Sequence, residues 1–538
     1  MSDLLASSRD ALGRVPPGYG ERHAHMVWFG TGETRLGSLV SKDRVDKPMV
    51  KPHGVERESD GVVVPLITGM NPVGGKGPDF GHAGNRGTRE GMAGTAPSNH
   101  PRGRMASDKV RRLQNRLWAA AKQSSGRRFH ALYDRLHRDD VLWAAWLRVR
   151  ANRGAAGVDR VTLAEVEQDY GVHRMLGELA ADLRAGEYRP APVRRVEIPK
   201  PDGSMRPLGI PTVRDRVAQQ AAKIVLEPIF EADFLDCSFG FRPKRSAIDA
   251  AEVIRVAFPR GRKFVFEADI RNFFGSIDHD RLMGLVEERV SDRRVLKLVR
   301  GWLRAGVVDA GVRSETVTGT PQGGVISPLL ANVFLHAFDQ AWAESGTGEL
   351  VRYADDFVVL CSTRSQAEQA QRRATALLGE LGLELHPEKT TVVDLREGRE
   401  GFDFLGWHFR ARMSGRLWEQ RGVVRYYLHR WPSLRSMKRA RQRIKDLTDR
   451  SRVGIELETT IESLNLFLRG WGNYFRTGNS ADKFIELDRH VTWRLKRLLI
   501  KKRGRALRAG QTARWTRPWF HDQGLHKLSG TIRYPKAA

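Results

Sequence analysis

The chain has 538 residues, with 91 Lys and Arg against 63 Asp and Glu, a net charge of +28 and a pI of about 10.5. This positive excess predicts a polyanionic partner, and a nucleic acid is a better candidate than a membrane surface. Two cysteines, Cys237 and Cys361, exclude a four-cysteine zinc site and indicate free thiols in a reducing compartment. No apolar run approaches the ~18–20 residues of a membrane span.

The first 107 residues show little hydrophobic periodicity. Residues 71–97 contain eight glycines together with Pro72, Pro78 and Pro97. This composition predicts a flexible basic Gly/Pro-rich leader over 1–107, without chemistry of its own. The amino terminus has no long apolar segment, so we expect no secretion signal and a cytoplasmic protein.

From Lys109 onward the pattern becomes that of a folded domain. Val110, Leu113 and Leu117 share one helical face. Residues 193–211 contain two apolar-alternating runs around a Pro-Asp-Gly turn, which predicts a β-hairpin. Helices are predicted around 214–233 and 280–304, and a glycine-rich loop at 317–324 precedes an apolar helix over 329–338.

Two adjacent aspartates are the most informative feature. Residues 351–360 read Val-Arg-Tyr-Ala-Asp-Asp-Phe-Val-Val-Leu, which predicts a β-hairpin with Asp355 and Asp356 at its turn. Asp269 ends another apolar run, over 264–269. Three such carboxylates suit two hard divalent cations about 3.5–4 Å apart, the usual device for in-line phosphoryl transfer. The alternative is a solvated turn, in which Asp is common.

The C-terminal region is strongly basic. Between residues 431 and 508 there are 20 Lys and Arg against 8 Asp and Glu, and the apolar residues have helical spacing. This pattern predicts amphipathic helices whose basic faces contact phosphates, with a merely solvated surface as the alternative. The residues expected to bind nucleic acid are Arg494, Lys496, Arg497, Lys501 and Lys502.

Four further motifs identify a family. They are Phe-Gly-Phe-Arg-Pro at 239–243, Thr-Pro-Gln-Gly-Gly-Val-Ile-Ser-Pro-Leu-Leu at 320–330, Phe-Leu-Gly-Trp at 404–407 and Gly-Trp-Gly-Asn-Tyr-Phe at 470–475. With the Tyr-Ala-Asp-Asp box they make residues 108–538 resemble the bacterial group II intron-encoded reverse transcriptases, or maturases. The resemblance implies an α/β right-hand polymerase, with fingers and an antiparallel palm sheet over 108–408. An α-helical thumb, the maturase X domain, would follow over 409–508.

The resemblance also implies roles for single residues. Asp269, Asp355 and Asp356 would hold two Mg²⁺ ions, and Lys200 and Arg206 would grip the triphosphate. Phe274 would be the steric gate against ribonucleotides, Gln322 would contact the incoming nucleotide, and Lys389 would lie near the active site. The alternatives are hairpin surface charges for Lys200 and Arg206, a core ring for Phe274, and a surface position for Lys389.

The segment 509–538 contains no cysteine, so the chain resembles the subclass that lacks the endonuclease domain and primes from an existing DNA 3′ end. His521 and His526 lie five residues apart near Asp522, and we expect them to be structural rather than metal ligands.

The expected function is that of an RNA-directed DNA polymerase that also binds its intron RNA and assists splicing and mobility. Its partners would be the intron RNA template, a DNA primer or target, and deoxynucleoside triphosphates, with nucleoid association on target DNA. One alternative is a reverse transcriptase of another bacterial system, against which the maturase motif argues. The other is an RNA-binding splicing cofactor with little polymerase activity, against which the three aspartates argue.

Overall fold

The computed structural model describes residues 103–199, 205–309, 312–314, 318–320 and 323–534, without the side chains of 103–107 and 313. The predicted leader lies outside the described residues except for its last five positions, which begin the first helix. All described residues belong to one compact unit. None of the helices described is long and apolar enough to cross a membrane.

Helices dominate the N-terminal part, and their apolar stripes meet in a shared interior. Val110, Leu113 and Leu117 are buried, as their 3.6-residue spacing predicts. The sixth helix is buried on almost every side and packs against the first and third. The helices are α1 (Gly103–Gln123), α2 (Tyr133–Leu136), α3 (Asp139–Ala151), α4 (Leu163–Glu165), α5 (Val172–Ala185) and α6 (Val213–Glu231).

The first sheet contains the hairpin predicted at 193–211. Its strands pair antiparallel from Arg194 opposite Ile210 to Pro199 opposite Met205, and the tip, 200–204, lies outside the described residues. A short strand runs parallel to the first strand and extends the sheet. The strand order is β2-β1-β4-β5, with β1 (Val193–Pro199), β2 (Met205–Ile210), β4 (Val307–Asp309) and β5 (Val312–Ser314).

The central sheet is antiparallel throughout and is covered on both faces. Because side chains alternate along a strand, Phe266 enters one hydrophobic core, here called the first core. Its neighbour Val265 enters the other, the second core, and both side chains are fully buried. The strand order is β6-β7-β3-β8, with β3 (Phe264–Asp269), β6 (Glu349–Tyr353), β7 (Asp356–Cys361) and β8 (Thr391–Asp394).

Six helices accompany this sheet. The last of them, Arg364–Glu380, packs against three strands of the sheet on the face that borders the first core. The first of them, Ala247–Ala257, packs against the opposite face. They are α7 (Ala247–Ala257), α8 (Phe273–Ser276), α9 (His279–Glu287), α10 (Arg293–Leu303), α11 (Ser327–Ser345) and α12 (Arg364–Glu380).

A third, three-stranded sheet and the C-terminal helices share the second core. Trp407 is fully buried between Tyr474 and Phe475, with ring centroids 5.7 and 4.7 Å away. The sheet order is β11-β10-β9, with β9 (Gly401–Phe404), β10 (Trp407–Met413) and β11 (Tyr426–Pro432). The helices are α13 (Gly415–Arg421), α14 (Leu434–Leu447), α15 (Leu457–Phe475), α16 (Ala481–Arg503) and α17 (Arg517–Asp522).

Two of the predicted segment limits can be placed on the fold. The boundary between 408 and 409 falls inside β10, because that strand pairs with β9 before it and β11 after it. The described part of the predicted tail, 509–534, packs onto the helices: Phe520 and Leu528 are fully buried, and Asp488 accepts a hydrogen bond from the Leu528 amide at 3.1 Å.

Phe484 tests the packing of the C-terminal helices. It is fully buried on α16, with its ring 5.5 Å from that of Trp471. We expect Phe484→Ala to lower the free energy of unfolding by about 3–5 kcal/mol, because it removes a large ring and leaves a cavity. Urea unfolding measures the loss. Leu466, 81% exposed on α15, is the control, and Leu466→Ala should change stability by less than about 0.5 kcal/mol. Equal midpoints for the two variants would contradict this packing.

Candidate active site

The Tyr-Ala-Asp-Asp box forms the predicted hairpin. β6 and β7 pair with Tyr353 opposite Asp356, so Ala354 and Asp355 are the two turn residues. Ala354 has a φ of 58°, in the left-handed region that is unfavourable for a residue with a Cβ. A strained turn of this kind persists only where its surroundings over-determine it.

A buried ion pair supplies that constraint. Arg352 and Asp339 have fully buried side chains and pair in a bidentate manner, Nε to Oδ1 at 2.7 Å and Nη2 to Oδ2 at 2.5 Å. The same guanidinium donates from Nη1 to the carbonyl oxygen of Ala354 at 3.0 Å. The α11 helix, which carries Asp339, is thereby connected directly to the strained turn.

The Phe-Gly-Phe-Arg-Pro motif lies against the other side of the turn. A Cβ on Gly240 would lie 2.4 Å from the backbone nitrogen of Ala354, so only glycine fits. Asn332 of α11 donates to the Gly240 carbonyl at 2.8 Å and accepts from Arg352 at 3.3 Å. Ser238 accepts from Arg352 at 2.8 Å. Two motifs that are distant in sequence therefore meet at the aspartate turn.

Sequence reasoning missed this network. Arg352 and Asp339 are not part of the predicted site, although each is a charged residue inside an apolar element. A charge in such a position is almost never buried without a partner, and that was the available signal.

The structure brings Asp269 to the hairpin. Asp269 of β3 lies directly opposite Asp356 of β7, and the Ile270 amide donates to the Asp355 carbonyl at 3.3 Å. Asp356 has solvent-exposed surface, but surrounding protein atoms desolvate its carboxylate, and with its hydrogen bond to Asp269 and the nearby charges they raise its pKa well above the usual range. Burial and the Asp269 charge also raise the pKa of Asp355.

These carboxylates have the chemistry for a hard divalent cation. Burial raises the pKa of Asp355 and Asp356, repulsion from neighbouring carboxylates adds to that rise, and a cation between the carboxylates would relieve the repulsion. Mg²⁺ favours one or two carboxylates together with substrate phosphates, and the facing Asp269 and Asp356 fit that requirement. Among the described residues, no three potential ligands converge on one point.

Two basic side chains approach the carboxylates. Nζ of Lys389 forms an ion pair with Oδ2 of Asp269, and the His386 amide donates to the Asp269 carbonyl at 2.8 Å. Lys389 is thus at the site rather than on a remote surface. The charges of Arg206 and Lys389 both oppose the rise in the pKa of Asp355. Lys200 and Gln322 lie outside the described residues.

Phe274 occupies a core position in this structure. It lies on α8, 8% exposed, with its ring 5.3 Å from that of Phe273, which is 1% exposed. Its carbonyl accepts from the Thr320 amide at 2.8 Å, which connects α8 to the Thr-Pro-Gln-Gly-Gly loop. The steric-gate role stays a prediction.

The five predicted nucleic-acid-binding residues fall into two groups. Arg494 and Lys502 donate to backbone carbonyls between α14 and α15, at 3.0 Å to Thr448 and 3.1 Å to Ile455. Arg497 and Lys501 are exposed, and Lys496 is half-buried. The first two hold the helices together as well as adding charge.

His521 and His526 have structural contacts. His521 donates from Nδ1 to the Leu525 carbonyl at 2.9 Å, and the His526 amide donates to Asn465 at 2.6 Å. Cys361 is buried and Cys237 is half-buried; both are free thiols.

Comparison with known proteins identifies the class. Residues 198–409 match the family model of reverse transcriptases, RNA-dependent DNA polymerases, and residues 437–516 match the maturase-specific domain of group II introns. The chain is therefore a reverse transcriptase. Polymerases of this class generally use divalent metal ions.

Individual relatives refine the assignment. Protein YkfC of Escherichia coli is 34% identical over 357 residues, 58% of this chain and 91% of that protein. The group II intron-encoded protein LtrA of Lactococcus lactis is 39% identical over 213 residues, 39% of this chain but only 35% of LtrA. The chain belongs to the group II intron-encoded reverse transcriptase and maturase family, which confirms the predicted family and enzyme class.

The buried pair generates a test of turn positioning. Asp339→Ala leaves the Arg352 guanidinium buried without its carboxylate, so we expect a loss of about 3–5 kcal/mol in unfolding free energy. The double variant Arg352→Met/Asp339→Leu should recover much of that loss, because apolar replacement of a whole buried pair is often neutral. It still lacks the bond to the Ala354 carbonyl, so its DNA synthesis should stay low. Urea unfolding and primer extension measure the two quantities. Parental DNA synthesis by the double variant would show that the guanidinium does not position the turn.

Proposed function

We propose that this chain is a right-hand polymerase that copies group II intron RNA into DNA, and that it also binds that RNA to assist its splicing and mobility. The central sheet would be the palm, the first sheet with α1–α6 the fingers, and α14–α16 the thumb, with the leader N-terminal to them. The observation that carries this proposal is the pairing of Asp269 with Asp356 beside the strained turn. Such a protein would work in the cytoplasm, on the nucleoid when it is bound to target DNA.

The reaction would be attack of a primer 3′-hydroxyl on the α-phosphate of a deoxynucleoside triphosphate. Asp269, Asp355 and Asp356 would hold two Mg²⁺ ions, which when bound lower the pKa of the hydroxyl and neutralise charge on the leaving pyrophosphate. Arg206 and Lys389 contribute positive charge beside the carboxylates, and Lys200 and Gln322 would complete the nucleotide contacts. Phe274 would limit space at the sugar 2′ position.

The basic C-terminal helices would hold the intron RNA. Arg497 and Lys501 are exposed on α16, and Arg497 lies 4.8 Å from the ring centroid of Trp493, which is itself largely exposed. Exposed arginine beside exposed tryptophan suits both phosphates and unpaired bases. Lys496 and, in part, Arg494 and Lys502 would add to the same positive field.

Asp355→Ala tests the polymerase assignment. We expect it to abolish DNA synthesis on an RNA template with a DNA primer while RNA affinity stays nearly unchanged, because the substitution leaves the basic side chains of α14–α16 in place. Asp394→Ala is the matched control: Asp394 lies on the same sheet, opposite Phe264 at the other end of β3 from Asp269. Primer extension and RNA titration measure both properties. Extension by Asp355→Ala at the parental rate would refute the site assignment.

A second comparison separates the two adjacent phenylalanines. Both Phe274→Ala and Phe273→Ala should destabilise the protein, because both rings are buried in the first core. If Phe274 is the steric gate, only Phe274→Ala should raise ribonucleotide incorporation relative to deoxynucleotide incorporation. Single-nucleotide extension with matched ribo- and deoxynucleoside triphosphates gives this ratio. An unchanged ratio for Phe274→Ala would leave that residue a purely structural role.

A further inference from the structure

The third sheet has an outward face whose side chains are mostly basic or aromatic. Along β10 and β11 buried residues alternate with more exposed ones, and the cross-strand register places Arg412 beside Tyr427 and His408 beside Trp431. We call this surface, formed by His408, Arg410, Arg412, Tyr427, His429 and Trp431, the outer face. One acidic side chain of the sheet, Asp403, joins it and is paired with His408 at 2.7 Å.

The outer face continues into a projection that connects β10 to β11. Residues 413–425, here called the tongue, contain the short helix α13 and are closed at their base by the Ser414 amide donating to the Arg425 carbonyl at 2.8 Å. Trp418 is 52% exposed, and the tongue residues Met413, Val423 and Val424 are also largely exposed. Exposed apolar side chains grouped in this way indicate a binding surface.

The charge of this surface indicates what it binds. Arg412, Arg416, Arg421 and Arg425 are all exposed, and none has an ion-pair partner in the described part of the chain. Arg412 lies 4.6 Å from the ring centroid of Trp431, and Arg425 lies 5.4 Å from that of Tyr427. Arginines stacked on aromatic rings, and ion-paired with neither Asp403 of the outer face nor Glu419 of the tongue, suit a strand whose phosphates and bases alternate.

We propose that the outer face and the tongue form a docking site for an unpaired segment of RNA. Exposed rings can stack only on bases that are not already stacked in a duplex, so a single-stranded segment fits better than a helix. The surface covers most of 410–436, the stretch between the end of the reverse transcriptase match and the start of the maturase match. Its continuity with the maturase domain favours RNA over DNA as the occupant, so this inference rests on the proposed function.

The tongue lies at the far end of β10 from the Leu405–Gly406 turn. β10 leaves the Leu405–Gly406 turn at Trp407 and reaches the tongue at Met413, seven residues and roughly 20 Å of strand away. The docking site therefore shares no residue with the proposed metal site or with the basic helix α16.

Two measurements on the full-length chain test the proposal. The first probe is an unstructured 20-nucleotide RNA whose uridines are replaced by 5-iodouridine, which cross-links to stacked aromatic rings on irradiation. Tryptic mapping should recover adducts on peptides 417–421 and 426–430, which carry Trp418 and Tyr427. RNA that binds and cross-links only elsewhere would overturn the assignment.

The second measurement is affinity by fluorescence anisotropy with a labelled RNA of the same sequence. Trp418→Ala/Tyr427→Ala should weaken binding by about fivefold or more for each aromatic removed, whereas the exposed control Leu466→Ala should have no effect. Arg416→Gln/Arg421→Gln should flatten the salt dependence by about 1.4 in log–log slope, at ~0.7 for each phosphate that is no longer neutralised. Arg372→Gln/Arg373→Gln removes the same charge from the exposed face of α12 and should leave the slope unchanged.

The outcomes separate the two proposals. If the parental protein binds no RNA, the proposed function fails and this inference fails with it. If it binds RNA but the tongue variants bind as tightly as the parent, only this inference fails. A DNA oligonucleotide that binds equally tightly and loses the same affinity in the variants would overturn the choice of RNA. Thermal melting of each variant should match the parent, because every substituted side chain is exposed.

Discussion

The active site depends on one buried ion pair. Arg352 and Asp339 are removed from water entirely, a costly arrangement that is tolerated only because each donor and acceptor finds a partner. The guanidinium directs its hydrogen bonds to Asp339, Asn332, Ser238 and the Ala354 carbonyl. These hydrogen bonds hold the turn that presents Asp355 and Asp356 against α11.

The remaining features of the site follow from the rigidity of that turn. Gly240 can approach the Ala354 backbone only because it lacks a side chain, and the approach closes off alternative turn conformations. With the turn held, antiparallel pairing of β3 with β7 places Asp269 opposite Asp356. Lys389 and Arg206 reduce the resulting carboxylate repulsion only in part, and cations would relieve it further. The site is therefore preorganised for positive charge.

Much of this was accessible from the amino-acid sequence. The two hairpins and the amphipathic C-terminal helices depend on local patterns, and the structure has them where the periodicity predicted. What could not be predicted depends on long-range contacts. Arg352, Asp339 and Gly240 meet only in the folded chain, and Lys389 reaches Asp269 across 120 positions. The neighbours Phe273 and Phe274 could not be distinguished by pattern, because a buried ring and a ring that borders a substrate have the same local sequence. Sequence patterns also do not show that the strand crossing the predicted boundary at 408/409 is shared between two neighbours.

The central claim is that Asp269 and the aspartate turn form one cation site held in place by Arg352. A crystal structure of the protein with an RNA template, a chain-terminated DNA primer, a deoxynucleoside triphosphate and Mn²⁺ would test it most directly, because manganese is located by its anomalous scattering. This account predicts anomalous peaks between Asp269 and the Asp355–Asp356 turn, at roughly the 2.0–2.1 Å ligand distance of Mg²⁺. The bond from Arg352 to the Ala354 carbonyl should be intact. Manganese bound away from these carboxylates, or a rearranged turn with that bond broken, would contradict it.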